Sequence, residues 1–278
     1  MKRIHLICLM LTLLMFTLLL VSCGNEGGTE VPDTEPAVAE TETEADTEAP
    51  VTTEETTAET EPAKEEKKLK TNPNDPDFFI LYTDGEVDFT KAPKAYVNIY
   101  RWGESYMPVT YGQIVFKEGD GFYVRMETEE TNPRAVNTER HSSVCQDSCL
   151  EFFAVYDPAK SMKYINIEMN AIGTWLCYFC ESNKVNNIIE KSSDSLPEIE
   201  PFKTETTWGT TLHVPLDMIE DCYPGVKLTE GSTILMNFYK CGDKTDKPHW
   251  GAWSEVETEK PNFHMPQYFS EVEIKKAN

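Results

Sequence analysis

From Tyr164 to Asn170 the chain alternates strictly: Ile165, Ile167 and Met169 are apolar, whereas Tyr164, Asn166, Glu168 and Asn170 carry polar groups. Successive strand residues face opposite sides of a sheet, so this period of two predicts a strand with one core face and one polar face. The polar face has no Lys and no Thr, which a solvated strand would favour, but amides and a carboxylate, each able to make several hydrogen bonds. Two readings of it stand side by side: a surface for a hydroxyl-rich ligand, or wet or buried sheet polar groups that tie the fold together. Similar short apolar or alternating runs recur at residues 78–82, 95–100, 111–116, 121–128, 148–156, 174–180, 210–215, 232–241 and 269–275. Turn signals such as Asp84-Gly85, Glu118-Gly119-Asp120-Gly121 and Asp157-Pro158 separate them. Residues 216–222 alone suit a short helix. Many short strands, with neither βαβ alternation nor an internal repeat, predict an all-β domain over residues 71–278, an antiparallel, jelly-roll-like β-sandwich.

The N-terminal part has different patterning. Lys2 and Arg3 precede an uncharged apolar run from Ile4 to Val21, the arrangement of an export signal over residues 1–22. Its end, Leu20-Val21-Ser22-Cys23-Gly24, resembles the lipobox of bacterial lipoproteins, which makes Cys23 the expected lipid attachment residue and mature N-terminus. More than one acyl chain then anchors the protein stably, whereas a single one does so only marginally. Residues 23–70 are expected to form a disordered acidic linker. Between positions 24 and 63 there are 13 acidic residues, no Lys or Arg and no aromatic, in Thr-Glu and Glu-Pro repeats. So little apolar surface does not offset the entropy of ordering the backbone, and like charges with prolines extend it into a stalk.

Charge narrows the partners. The net −23 divides into +2 in the leader, −13 in the linker and −12 from residue 64 onward. An acidic domain repels nucleic acid and anionic head groups, so the expected membrane contact is the N-terminal lipid only, with no nucleic-acid partner. Six cysteines fall in the domain: Cys145, Cys149, Cys177, Cys180, Cys222 and Cys241. Cys177 and Cys180 lie three apart on an expected strand and so face opposite sides, which argues against a shared zinc. Buried thiols acting as small apolar residues are expected, with a disulfide or two allowed by export. Nucleophile elbows, Gly-rich phosphate loops and His-Glu-x-x-His are absent, no carboxylate pair stands out, and His141, His213, His249 and His264 are scattered. A non-catalytic protein is expected.

Four separated segments carry a family resemblance: Asn132-Pro133-Arg134-Ala135; Asp147-Ser148-Cys149-Leu150-Glu151-Phe152-Phe153; residues 166–170 with Gly173; and Trp253 with residues 263–269. Together they resemble the carbohydrate-binding module family 9-like domains over about residues 78–276. The resemblance implies a β-sandwich that binds sugars without cleaving them, with two aromatic rings clamping a terminal sugar of a glucan or xylan chain and calcium supporting the fold. It assigns Glu151 to sugar contact and Trp253 to one clamp wall. The chain departs from the family where residues 141–146 read His-Ser-Ser-Val-Cys-Gln instead of presenting an aromatic, and Trp102 is the expected substitute. Polar contacts are expected from Arg134, whose planar fork can pair with two hydroxyl oxygens, and from Glu168 and Asn170 on the polar strand face. Trp175 and Trp208 are assigned to packing, and Trp250 to neither role.

The expectation is therefore a monomeric, lipid-anchored, outward-facing protein of the bacterial cell membrane. It binds ends of plant-type poly- or oligosaccharides such as xylan or glucan, with no cofactor beyond a structural calcium. Rival readings are an envelope protein-interaction module that has lost its sugar site, a haem-binding sandwich using Met107, Met126, His213 or His264, and a weak glycoside hydrolase.

Overall fold

A computed structural model describes residues 71–103, 105–182 and 185–277; the expected signal peptide, Cys23 and the acidic linker lie outside them. The elements in chain order are β1 (Ile80–Thr83), β2 (Ala95–Tyr96), β3 (Thr110–Lys117), β4 (Gly121–Thr128), β5 (Cys149–Val155), β6 (Tyr164–Asn170), β7 (Trp175–Ser182) and β8 (Val185–Ile188). There follow β9 (Glu198–Lys203), β10 (Trp208–Pro215), the helix α1 (Leu216–Cys222), β11 (Thr233–Cys241), β12 (Trp250–Ala252) and β13 (Ser270–Lys275). The strands form one curled sheet in the order β8-β7-β6-β5-β11-β13-β1-β3-β4-β10-β9, with β12 on β11 and β2 on β3. Its two halves pack face to face as the expected β-sandwich. All pairings are antiparallel except those of β1, which runs parallel to both β13 and β3 and joins the halves. Parallel strands are stable when both faces are covered. Here Leu81 and Val115 are roofed by the segment carrying Val87, Phe89 and Ala92.

The sandwich core collects the alternate residues of each half: Phe122, Val124 and Met126 from β4, Leu212 and Val214 from β10, Phe152 and Ala154 from β5, Ile165, Ile167 and Met169 from β6, and Met236 and Phe238 from β11. Each such side chain contributes roughly 1.5–3 kcal/mol by leaving water. Gly112 on β3 is required there, because a Cβ would sit 2.5 Å from the Phe238 ring. The β5–β6–β11 half is covered on its other face as well. Phe153, Tyr164 and Tyr239 meet Val144, Ala252, Val256, Phe263 and Phe269 from the segments before β5 and after β12.

The sequence pattern locates most strands but misses three. β9, Glu-Ile-Glu-Pro-Phe-Lys, is a largely exposed edge strand in which Pro201 removes a ladder donor, so it lacks the apolar signature of a buried strand. β8 and β12 have only four and three residues, too few for a period to register. The expected strand over 95–100 shrinks to β2 and an isolated bridge from Ile99 to Ala252. All six domain cysteines are free thiols, and Cys177 and Cys180 do face opposite sides, one in each apolar cluster.

Trp253 is a core residue, which corrects its assignment to a clamp wall. It is 2% exposed, packs on Phe78 with ring centroids 5.0 Å apart, and donates Nε1–H to Asp75. An indole covered on both faces has none left for a sugar. The haem reading loses its ligands in the same way: Met126 points into the sandwich core, while His213, stacked on Tyr123, lies on the opposite face of the β4–β10 pair.

The inner face also holds a buried cation. Lys240 alternates with Tyr239 and Cys241 on β11, so its side chain enters the sandwich, where Nζ lies 2.7 Å from His249 Nε2, 3.1 Å from the Cys241 carbonyl and 3.4 Å from Glu130. Trp208 and Ser148 also donate to Glu130. His249 Nδ1 faces the Lys247 carbonyl at 2.8 Å, so Nδ1 carries the proton and Nε2 accepts from the ammonium. Protonating Nε2 would set two donors against each other. Burial, reinforced by the Lys240 charge, accordingly pushes the His249 pKa down to about 4.

Two outcomes are expected. Trp253→Ala should lower unfolding free energy in urea by about 3–5 kcal/mol, the cost of an emptied aromatic site. The unfolded chain binds a proton on His249 below its ordinary 6.5 and the folded chain only near 4, so stability should fall as pH drops through that window. The loss should approach about 3 kcal/mol and be smaller in His249→Gln, measured by denaturant unfolding at stepped pH.

Candidate functional site

The polar faces of β5 and β6 meet under a cavity. The antiparallel register sets Glu151 directly opposite Glu168, and on the other side of β5 it sets Tyr239 opposite Glu151 and Cys241 opposite Cys149. Because side chains alternate, Cys149, Glu151, Glu168, Tyr239 and Cys241 all share one face. A cavity of about 300 Å³ opens over them, lined by Cys145, Glu151, Glu168, Cys241, Asp243, Trp250, Pro261, Asn262, Phe263 and His264. The two glutamates and Cys241 form its floor, and the loops after β11 and β12 raise its walls.

Each wall is fixed by its neighbours. The Trp250 indole donates Nε1–H to Asp243 at 2.6 Å. Phe263 stacks on Tyr239 with ring centroids 4.0 Å apart and planes 12° from parallel. His264 Nδ1 lies 2.8 Å from the Tyr164 hydroxyl, and burial lowers its pKa, which favours the neutral ring. On the floor, Asn166 donates to Glu168 Oε1 at 3.0 Å, while its own oxygen takes the Tyr178 amide. Asn166 thereby orients Glu168.

The floor is acidic and short of cations, since none of the lining residues is Lys or Arg. Burial, followed by the neighbouring Glu168 carboxyl, holds the Glu151 pKa well above the usual carboxylate range. Burial likewise pushes Glu168 up to about 7, with Asp243 adding to the shift against the stabilising Asn166 amide. Like charges directly opposite on neighbouring strands repel. The pair therefore retains a proton near neutrality and offers both O–H donor and carboxylate acceptor, the complement of a hydroxyl group. Trp250 and Phe263 add the apolar surface that C–H faces of a ring prefer.

Of the sequence-assigned residues, Glu151 and Glu168 reach this cavity, whereas Trp102, Arg134, Asn170 and Trp253 are not among its lining side chains. Asn170 is fully buried and spends its amide on the Asn137 carbonyl and Asp147, and its oxygen on the Thr174 amide, so it fastens the chain before β5 to the β6–β7 turn. Arg134 lies 3.4 Å from Asp147 and lines a separate depression with Tyr106, Glu130, Lys244 and Lys247. Trp102 is half-buried, donates to the Thr258 carbonyl and packs on Phe263 at 5.8 Å, so it backs the wall from behind. The aromatic at the opening is Trp250. A Trp following a Gly-rich turn next to a long apolar strand was legible in the sequence, but its choice over Trp253, three residues on, follows from which one the β11–β12 pairing leaves uncovered.

Calcium takes oxygen ligands. Among the described residues, the group of His, Cys, Asp or Glu side chains whose ligand atoms converge is Cys149, Glu151 and Cys241, and two thiols in three do not fit calcium.

The comparisons agree with this architecture. The profile of carbohydrate-binding family 9 matches residues 82–274. No curated protein matches the chain. Among solved structures, a candidate carbohydrate-binding protein from Bacteroides uniformis superposes with a TM-score of 0.60 at 20% identity, covering 71% of this chain and 98% of its own. A family 9 module from Caldicellulosiruptor kristjanssonii in complex with glucose gives 0.52 at 12% identity, over 72% and 96%. The same organism's module in complex with cellotriose gives 0.51 at 12%, over 72% and 94%. At these identities the structural likeness is one of fold, and the profile match decides membership: the chain belongs to carbohydrate-binding family 9.

Proposed function

We propose that this chain is a non-catalytic, surface-displayed binder of glucan- or xylan-type oligosaccharide ends, and that the ligand enters the cavity over Glu151 and Glu168. The observation that carries the reading is the proton-retaining carboxyl pair at the floor of a pocket walled by Trp250 and Phe263. Family membership supports a saccharide partner, and family 9 relatives are known in complex with glucose and cellotriose. Glu151 and Glu168 sit side by side on neighbouring strands of one floor. A hydrolase instead needs its two carboxyls on either side of the scissile bond, so this arrangement favours binding over cleavage. The lipobox-like Cys23 and the acidic linker complete the proposal: acyl chains hold the protein on the membrane, and the linker carries the domain outward as a monomer.

An affinity between about micromolar and millimolar, roughly 4–8 kcal/mol, is expected for cellotriose or xylotriose by titration calorimetry. Trp250→Ala should weaken binding by on the order of 2 kcal/mol, about 30-fold in Kd, and Glu168→Ala by a similar amount. Absence of heat with every glucan and xylan oligomer, from a protein that unfolds cooperatively, would leave a family member whose pocket serves another ligand. Cys23→Ala should move the protein from the membrane fraction to the soluble fraction of the producing cell.

A further inference from the structure

Cys149, Glu151 and Cys241 stand together on the cavity floor for a reason of register: Cys149 and Glu151 are two apart on β5, and β11 brings Cys241 opposite Cys149. One ligand atom from each, two sulfurs and a carboxylate oxygen, lies within 4.8 Å of the other two. Cys241 Sγ is 2.8 Å from Glu151 Oε1 and 3.5 Å from the Cys145 carbonyl oxygen. Donors held about 2.0–2.3 Å from a zinc ion in tetrahedral geometry are at most about 3.8 Å apart, so the observed group closes on such an ion by small side-chain rotations. The surroundings favour a cation, because Glu168 and Asp243 line the same opening and no Lys or Arg does. Neither saccharide binding nor packing calls for two thiols beside a buried carboxyl.

We propose that Cys149, Glu151 and Cys241 form a three-ligand site for a thiophilic divalent cation of the zinc type, with the fourth coordination position open to the cavity. Two thiolates and one carboxylate suit zinc's borderline softness, and three protein ligands plus water is a common zinc arrangement. Binding displaces the two thiol protons to solvent, and no electron is transferred. The ion replaces three mutually repelling or desolvated acidic groups with one compensated centre. Its water faces the same space as Trp250.

The test uses the full chain, purified with reductant, stripped with chelator and kept free of sugar, so its outcome does not depend on saccharide binding. One equivalent of Zn²⁺ should bind by calorimetry. Co²⁺ in its place should give sulfur-to-cobalt charge-transfer absorption of an intensity matching two thiolates. Loss of even an outer-shell partner weakens metal sites by about 10–100-fold, so Cys149→Ala and Cys241→Ala should each cost at least about 100-fold and remove or halve the absorption. Cys222→Ala, which deletes a thiol on α1, should change neither. The proposal is overturned if cobalt bound to the unmutated protein shows no sulfur-to-metal absorption, if either alanine variant keeps full zinc affinity, or if Cys149 and Cys241 are found joined as a disulfide in the isolated protein. Should the variants fail to fold, the cobalt spectrum of the unmutated chain decides.

Discussion

Covering both faces of the β5–β6–β11 half-sheet is the constraint on which the rest of this structure depends. A strand buried on one face alternates core and solvent; here the second face is also roofed, so its Glu151, Asn166, Glu168 and Asn170 are all buried. Buried polar groups are tolerated when they find partners. Asn166 and Asn170 find them in the backbone and in Asp147, and these bonds fix the segments that form the roof. The two glutamates are left with few partners of their own kind of strength, and the roof stops short of them. The cavity is the gap that results.

That arrangement explains the electrostatics on both sides of the sheet. Outside, two carboxyls face each other without a compensating cation, and they respond by holding protons. Inside, one residue along β11, Lys240 carries a charge into the sandwich and is matched by Glu130 and a neutral His249. The same pleat that separates Cys177 from Cys180 separates these two systems, so an acid-rich pocket and a buried cation coexist within one strand's width. Removing one partner of either system would leave an uncompensated group in a poorly hydrated place, which is costly.

Family membership and the pocket's own chemistry point the same way without being the same argument. The profile match spans the domain and fixes the architecture. The pocket is particular to this chain: Cys145 stands where the family resemblance leads one to expect an aromatic, Trp250 supplies the ring at the opening, and Cys149 with Cys241 brings sulfur to the floor. A binding surface built on a rigid sheet with variable loop walls is a common way for one fold to serve many ligands.

The sequence by itself determined the local facts. Period-two alternation located β4 and β6 to the residue and told which side of β6 would be core, because Ile165, Ile167 and Met169 have only one place to go. Composition set the charged leader and acidic linker apart from the domain, and four spaced segments carried the family resemblance. What only the tertiary structure decided was coverage and convergence. Trp250 and Trp253 have the same side chain and neighbouring positions, yet one lines an opening and the other is sealed against Phe78 and Phe238. Arg134 and Asn170 have the right chemistry for a sugar and are drawn into bonds with Asp147 instead. Cys149 and Cys241 lie in different strands, and only the pairing of β5 with β11 makes them neighbours. Periodicity reports which face a side chain takes; what lies over that face depends on chain segments distant in sequence.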